Sequence, residues 1–471
     1  MNSFNYFGEN LLLNYLINFN YFTKLYIIYL YHLLCDNMLY ELAEEAKREI
    51  SKYCDDYEIF LENTELLQLD SQKTDLNFAK EEINLGMGIR VIKDGSVGFA
   101  FTSDMGEIAK TCENAYLNSK LNSKDENFSF ADVEKLPKIN GTFDKKFREI
   151  DLDELTSSLK SVLNCIEDNG CQTTSGGFSA AEGEVLIVNS NGVEAYDKST
   201  GFALGVSINA IKDGDLATAY DSVSSCLYDL DGIKLAEDLC DLAKSSLGGE
   251  HIETSDKDVI LDYHAVTGLL STFMSGFSAD NVQRGRSRLA DKIGERIVTE
   301  DLSIFDDGTV DGGLNSAVCD DEGTASRRTS LVEDGVLKGY LYDIYTANKD
   351  GVKSTSNGFR GSFAGTPSVS GSNIIFDFKS HVMEDEINDA FLVTDVLGAH
   401  TANPITGDFS VEASNSFLLN DGDRKAIKKA MISGNIYDLL ADAIAVGDEV
   451  KQRGSFIVPK LLLHDVRVVG N

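Results

Sequence analysis

His264 is the residue of this sequence whose position most suggests metal chemistry. It follows the apolar run Val259, Ile260 and Leu261, and Asp262 ends that run before apolar residues begin to recur at helical spacing. His264 is therefore expected in the first turn of a helix. When a Glu follows such a His and a second His comes one turn later, one helix face offers two imidazoles to zinc with a general base beside them.

The residues after His264 do not complete that pattern. Ala265, Val266, Thr267 and Gly268 supply neither a carboxylate nor a second imidazole. Zinc needs three or four protein ligands, and the six histidines, at positions 32, 251, 264, 381, 400 and 464, never lie three to five residues apart. A helix-terminal His with a local hydrogen bond is favoured over a metal ligand.

The densest charged cluster comprises Asp320, Asp321 and Glu322, with Arg327 and Arg328 shortly after them. Paired carboxylates can hold a cation or exchange protons. Acidic side chains are abundant in this chain, and surface ion pairs are common and weak. A solvated turn with ion pairs is therefore the favoured interpretation.

Three arginines alternate after the predicted helix, namely Arg284, Arg286 and Arg288. An extended segment would place them on one side, where guanidinium groups could each bind a peptide carboxylate through two parallel hydrogen bonds. A solvated or interface-facing position is the alternative that the sequence leaves open.

Composition excludes several classes of function. The chain has 77 acidic against 42 basic side chains, a formal charge of −35, which repels phosphate backbones and anionic membranes. We therefore expect no nucleic-acid or membrane partner. The eight cysteines lie far apart without a C-x-x-C pair, which is typical of reduced thiols and predicts a cytoplasmic protein.

Nucleotide chemistry and serine catalysis have no support in the motifs. The sequence contains no P-loop lysine motif, no complete dinucleotide glycine fingerprint and no G-x-S-x-G elbow. Nothing in the local sequence places a Ser beside a His, so a serine triad is not favoured.

The elements that would position these residues predict an α+β fold with two domains. An amphipathic helix starts at Met38, helices follow at about 104–121, 151–166 and 231–247, and a hairpin turns at Asp94-Gly95. After the Gly248-Gly249 break the pattern is β-rich, with a second hairpin turn at Asp334-Gly335. We predict an N-terminal α+β domain at 38–249 and a C-terminal β-rich domain at 250–471.

Residues 1–37 differ from the rest of the chain. They are dominated by Asn, Tyr, Leu, Phe and Ile, and their apolar segment at 25–35 is too short for a membrane span and lacks a signal-peptide cleavage site. Our hypothesis is that translation starts at Met38 and that residues 1–37 are a non-native extension.

Several long segments resemble the TldD/PmbA family, described as modulators of DNA gyrase and predicted zinc peptidases. In chain order they are MGIRVIKDGSVGFAFTSD, VQRGRSRLADKIGE, DDEGTASRRTSLVEDGVLKGYLYDIYTANKDG, KSTSNG, ITGDFSVEASNSFLLNDG and ISGNIYDLLADAIAVGDEV. The resemblance covers nearly everything from Met38 to Asn471 and is far more specific than any short motif.

The resemblance implies that a family metal site has been lost here. TldD-type chains carry H-E-x-x-x-H, which requires a helix bulge to bring the two His together, and a ligand Cys near the C-terminus. Matching Ala265-Val266 to that motif puts Tyr263, His264 and Gly268 at its His, Glu and His positions. Shifting the match by one residue recovers one His but puts Ala265 at the Glu position and Leu269 at the second His position. No Cys follows Cys319, so the chain resembles the PmbA/TldE-type subunit.

By this resemblance, the chain would bind no cofactor, contribute no catalytic residue and assemble with a zinc-bearing TldD-like subunit, or as a homodimer, to process unfolded or modified peptides. The candidate substrate-binding residues are Arg284, Arg286, Arg327, Arg328 and Asp408. One alternative is a hydrolase active in its own right, using His264, His400, Asp408 or the Asp320 to Glu322 cluster. Another is a non-enzymatic regulator of a toxin or gyrase system.

Overall fold

The structure is a computed structural model that describes residues 38–420 and 422–470. The hypothesis about residues 1–37 concerns a segment outside these residues. No helix within the described ranges is both long and apolar enough to cross a membrane.

The first half of the chain forms a six-stranded antiparallel sheet in the order β3-β2-β1-β4-β5-β6. Its strands are β1 (Asp56–Gln72), β2 (Asp75–Lys93), β3 (Ser96–Thr102), β4 (Gln172–Asn189), β5 (Glu194–Lys212) and β6 (Asp215–Ser225). One face is covered by helices α1 (38–50), α2 (Ile108–Ser119), α3 (Leu152–Asp168) and α4 (Gly232–Ser245). The apolar stripes of these helices pack on every second residue of the strands, because successive side chains of a strand point to opposite faces of the sheet.

The second half is β-rich and carries a 12-stranded sheet and a short two-stranded one. Its strands are β7 (Ser255–Leu261), β8 (Leu302–Asp307), β9 (Arg328–Glu333), β10 (Val336–Leu337), β11 (Gly358–Phe359), β12 (Ser368–Val369), β13 (Ile374–Phe378), β14 (His381–Val382), β15 (Asp389–Leu397), β16 (Asp408–Asn420), β17 (Asp423–Ile427), β18 (Ala430–Asn435), β19 (Ile444–Arg453) and β20 (Phe456–Val469). Its helices are α5 (Tyr263–Met274), α6 (Ala279–Gln283), α7 (Ile344–Asp350) and α8 (Ile436–Leu439).

Hydrogen bonding in the large sheet closes a ring. Strand β20 pairs with β18 and β7, β7 pairs with β15, and β16 joins β15 to β18. Both sides of this ring are buried: Val259 and Leu261 belong to one apolar cluster and Ile260 to another. That arrangement explains the continuous apolar run in β7, since a strand buried on both faces cannot alternate polar and apolar residues.

The predicted α+β class and the β-rich second half are confirmed. Both Asp-Gly turns are present, with Asp94 and Asp334 at φ of 52° and 50°. The sequence pattern predicts separate strands at 57–61 and 65–72, 192–197 and 202–211, 407–412 and 416–420, and 455–463 and 466–469. Each pair is mostly one long strand, because pairing with a neighbouring strand continues across the gap, and these strands are β1, β5, β16 and β20. The apolar pattern at 436–444 predicts one more helix, but that helix ends at Leu439 and the strand β19 begins at Ile444. The domain division at Gly248-Gly249 stays a prediction.

A buried ion cluster joins the two halves. Arg90 on β2 donates to Glu58 on β1 at 2.9 Å and to Glu322 at 3.3 Å, and Arg360 also pairs with Glu58. The Glu58 and Arg360 side chains are fully buried, and 2% of the Glu322 side chain is exposed. Burial alone would raise the pKa of Glu58, but Arg90 and Arg360 together hold it below its usual value.

This cluster overturns the prediction of a solvated turn at 320–322. Asp320 accepts hydrogen bonds from the backbone N–H groups of Thr324 and Gly358, both at 2.9 Å, and is fully buried. Burial raises the pKa of Asp321 to about 6. The prediction was wrong because the arginines that neutralise these carboxylates lie on β2 and at position 360. These residues are distant in sequence and approach the cluster only in the folded structure.

Replacing Arg90 by Met should destabilise the fold by about 3–5 kcal/mol, because the change leaves Glu58 and Glu322 buried with less compensating charge. The matched control is Arg467→Met, whose exposed pair with Asp256 at 3.2 Å is worth less than about 1 kcal/mol. Urea unfolding of both variants measures the difference. If both variants lost the same small amount of unfolding free energy, the proposed role of the cluster would be contradicted.

Candidate functional site

The residue stretch around His264 adopts the predicted strand-to-helix form. Strand β7 ends at Leu261, the Asp262 side chain caps α5 by accepting from the backbone N–H of Tyr263 at 2.7 Å, and His264 lies in the first turn. Apolar residues of α5 fill the core beneath it, including Val266, which is 1% exposed.

His264 joins the two halves of the molecule. Its Nε2 lies 2.6 Å from the Asp221 Oδ1 on β6. Arg453 on β19 donates to the Asp221 Oδ2 at 3.2 Å and also lies 2.9 Å from Oδ1 as an ion pair. Burial would raise the pKa of Asp221, but His264 and Arg453 hold it below its usual value. This His–Asp–Arg network crosses from the first sheet to the second.

Tyr263 has a charged environment of its own. Its hydroxyl donates to Glu449 Oε2 at 3.2 Å, and Lys451 lies 4.7 Å from the ring centre. Lys460 pairs with Asp262 at 3.5 Å and also with Glu384 at 3.0 Å. Burial and then Glu449 raise the pKa of the Tyr263 hydroxyl well above its usual range, so the phenol stays protonated at neutral pH.

These networks form the walls of a cavity of about 460 Å³. One wall comes from β6 and α4, and the other comes from α5 and strands β15, β16, β17, β19 and β20. The cavity therefore lies where the two halves meet, which is a common place for ligand sites.

The residues at the three motif positions, two for zinc ligands and one for the general base, do not fit a zinc site. Tyr263 is a protonated phenol engaged with Glu449, His264 is engaged with Asp221, and Gly268 has no side chain. A Cβ built on Gly268 would lie 2.9 Å from Val396 Cγ2, so any side chain there must displace Val396. Within residues 38–420 and 422–470, no group of three or more His, Cys, Asp or Glu side chains is arranged to hold a metal ion.

The five candidate substrate-binding residues lie away from this cavity. Arg284 is exposed and pairs with Asp280 at 2.8 Å, at the end of the short helix α6, so its segment is partly helical where we expected it to be extended. Arg286 is also exposed. Asp408 accepts from Thr406 and Asn435, both at 2.7 Å, and Asn435 in turn accepts from Arg288 at 2.8 Å.

Arg327 and Arg328 belong to a separate region. Arg327 pairs with Glu134 at 2.6 Å, and the Arg328 guanidinium lies 3.8 Å from the centre of the Phe305 ring. His400 is exposed in a short turn, outside the cavity lining. None of these contacts tests substrate binding, so the five assignments stay predictions.

Sequence reasoning missed the partners of His264. Asp221 and Arg453 are 232 residues apart, on strands of different sheets. Neither lies in a recognisable motif, and only strand register brings them to the same cavity. A pairing of this kind carries no local sequence signal.

Comparison with known proteins shows matches along most of the chain. Residues 57–119 match a model described as PmbA/TldA metallopeptidase domain 1, residues 145–247 match the central domain, and residues 254–470 match the C-terminal domain.

Individual proteins agree with those matches. An uncharacterized protein of Methanocaldococcus jannaschii is 39% identical over 383 residues, which cover 81% of this chain and 88% of that protein. A metalloprotease PmbA homologue of Haemophilus influenzae is 26% identical, and the match covers 82% of this chain and 86% of that protein. The crystal structure of TldE from Thermococcus kodakarensis superposes with a TM-score of 0.85 at 25% identity, covering 91% of this chain and all of that one.

Gly268→Ala should reduce the free energy of unfolding by about 1–3 kcal/mol, because the new methyl group overlaps Val396. At a helix position with free space beside it, the same change would instead stabilise the protein by about 1 kcal/mol. In urea unfolding, the double variant Gly268→Ala with Val396→Ala should lose less free energy of unfolding than the sum of the losses in the two single variants. If the two losses of unfolding free energy simply add, or if Gly268→Ala alone stabilises the protein, then Val396 does not block a side chain at position 268.

Asp221→Asn should destabilise the protein at pH 7 by about 1–3 kcal/mol, since it weakens charged hydrogen bonds to His264 and Arg453. The folded-state pKa of Asp221 is depressed, so its stabilisation is present above the ordinary pKa of 3.8 and is lost as pH falls further. The difference in unfolding free energy between wild type and variant should therefore shrink below about pH 4.

The matched control is Asp256→Asn, which removes an exposed carboxylate and should change stability by less than about 0.5 kcal/mol. The charge of Asp221 would not have the assigned role if the difference in unfolding free energy between wild type and Asp221→Asn did not vary with pH.

Proposed function

The chain belongs to the TldD/PmbA family, and on that premise we propose that it is the PmbA/TldE-type subunit of a two-subunit metallopeptidase. In this proposal a TldD-like partner supplies the zinc, the general base and peptide-bond cleavage, and the substrate is an unfolded or modified peptide. The likeness to a crystal structure named TldE supports the subunit type.

The observation that carries the proposal is the set Tyr263, His264 and Gly268. Each is either committed to another partner or without a side chain, and Val396 occupies the space beside Gly268. A helix packed in this way is expected of a subunit that supports catalysis elsewhere in a complex.

The role of this chain would be to complete the enclosure and position the peptide. Strand β3 pairs with β2 only from Met87 to Lys93, so within the described part of the chain the outer edge of β2 from Asp75 to Gly86 has no neighbouring strand. An open edge can pair with the backbone of an extended peptide regardless of its sequence. The loop bearing Arg284 and Arg286 would add contacts to carboxylates.

The main alternative is a hydrolase active on its own. The contact between His264 and Asp221 at 2.6 Å favours it, because a carboxylate orients an imidazole for general-base catalysis. No group of three or more His, Cys, Asp or Glu side chains is arranged to hold a metal beside the pair in the described ranges, so we favour the subunit role.

We predict that this chain co-purifies with a TldD-like chain bearing H-E-x-x-x-H from the same cells, and that the pair cleaves a loosely folded peptide. Zinc chelation should abolish that cleavage, because the partner holds the metal. The chain purified alone should cleave nothing.

Cleavage by the isolated chain would contradict the proposal. His264→Asn and His400→Asn, made separately, would then show whether either histidine carries that activity and would assign the alternative.

A further inference from the structure

Two cysteine side chains meet where the end of α3 packs against α4, namely Cys171 and Cys240. The Cys171 Sγ lies 3.9 Å from the backbone oxygen of Cys240, and the Cys240 Sγ lies 3.9 Å from the backbone oxygen of Ile166. That oxygen of Ile166 also accepts from the backbone N–H of Cys171 at 3.1 Å. The two cysteine side chains hydrogen-bond each other. They are therefore direct neighbours, although 69 residues separate them in the sequence.

The end of α3 holds Cys171 in this position. The helix ends at Asp168, and Gly170 follows with a φ of 71°, a left-handed conformation that suits glycine. The hydrogen bond from the Cys171 backbone to Ile166 then closes the helix end. Cys171 is 4% exposed, Cys240 is fully buried, and both belong to the apolar cluster between the first sheet and its helices.

Other thiols of the described residues have different surroundings. The thiols of Cys54 and Cys112 lie against backbone oxygens, at 3.1 Å and 3.8 Å. Cys165 is partly exposed, and its Sγ accepts from the Asn169 side chain at 3.6 Å. Cys171 and Cys240 differ from these residues because each has a thiol as its hydrogen-bonding neighbour.

Neighbouring thiols can form a disulfide without unfolding of the chain. The S–S bond is about 2.05 Å long, and side chains that already touch can approach it with little movement of the backbone. Burial raises the pKa of the Cys240 thiol above its usual value, so this thiol stays protonated and reacts slowly with reagents in solvent. Cys171 keeps a small exposed area, which a small oxidant can reach first.

We propose that Cys171 and Cys240 form an oxidation site, which hydrogen peroxide converts to a disulfide in the folded protein. In the first step the Cys171 sulfur attacks one peroxide oxygen, the O–O bond breaks, and one water leaves as Cys171 becomes a sulfenic acid. In the second step the Cys240 sulfur attacks the Cys171 sulfur, the S–O bond breaks, and the hydroxyl leaves as a second water with the Cys240 proton. The two cysteines lose two electrons, and the peroxide is reduced to two waters.

The disulfide would affect the His264 cavity through α4. Leu239 and Asp241, on either side of Cys240, line that cavity. A covalent bond from Cys240 to the end of α3 would restrain α4 and, with it, one wall of the cavity. Oxidation at this site would therefore reduce the mobility of that wall.

Peptide mapping of the purified full chain tests the proposal. The chain is reduced, freed of reductant, treated with hydrogen peroxide under native conditions and then alkylated in denaturant. The oxidised chain should carry two fewer alkyl groups than the reduced chain, and a non-reducing digest should contain Cys171 linked to Cys240. Hydrogen exchange of the α4 amides should slow at least about tenfold, because the disulfide restrains local opening.

Two variants with a matched control assign the order of the steps. Cys240→Ser should stop at the sulfenic acid, which dimedone traps at Cys171. Cys171→Ser should give neither the disulfide nor a dimedone adduct at Cys240. Cys112→Ser removes a buried thiol of α2 and should form the disulfide as wild type does. Circular dichroism and urea unfolding confirm that each variant is folded.

The proposal would be overturned if the native chain stayed reduced in peroxide, if the disulfide joined Cys165 to either thiol, or if it formed only in urea. Unchanged exchange of the α4 amides after oxidation would overturn the restraint of the cavity wall. The mapping of wild type needs neither a variant, zinc nor a partner subunit. Its failure is therefore distinct from a failure of the subunit role, which co-purification tests.

Discussion

The requirement that buried charges be neutralised holds the two halves of this protein together. Glu58 and Arg90 come from neighbouring strands of the first sheet, and Glu322 and Arg360 come from loops of the second half. Each group would be costly to bury without the others. The cluster therefore fixes how the first sheet meets the second, and this placement brings β6 and α4 over the strands that form the far wall of the cavity.

The same constraint explains the chemistry of the cavity. A helix start that could have carried metal ligands carries Tyr263 and His264, and each side chain is held by a carboxylate from another strand. Asp221 is neutralised by His264 and Arg453, and Glu449 lies beside Lys451. Ion pairs therefore hold the side chains at the start of α5 in place.

Local patterns in the sequence predicted most of the helices and strands but not the contacts of the candidate site. The apolar run ending at Asp262 predicted the strand and the first helical turn that contains His264, because these features depend on neighbours in sequence. The family resemblance indicates Tyr263, His264 and Gly268 as the positions of a lost metal motif, and this assignment stays a prediction. Nothing local could predict that Asp221 would meet His264, or that Asp320 and Glu322 would be buried, since their partners arrive through sheet register and loop packing.

The central claim is that the helix start at Tyr263 no longer holds a metal, and zinc content tests it most directly. The chain, expressed without a TldD-like partner, would be loaded with excess zinc, desalted and measured by inductively coupled plasma mass spectrometry. The account predicts zinc far below one ion per chain. One tightly bound zinc per chain, lost when His264 is replaced by Asn, would contradict it.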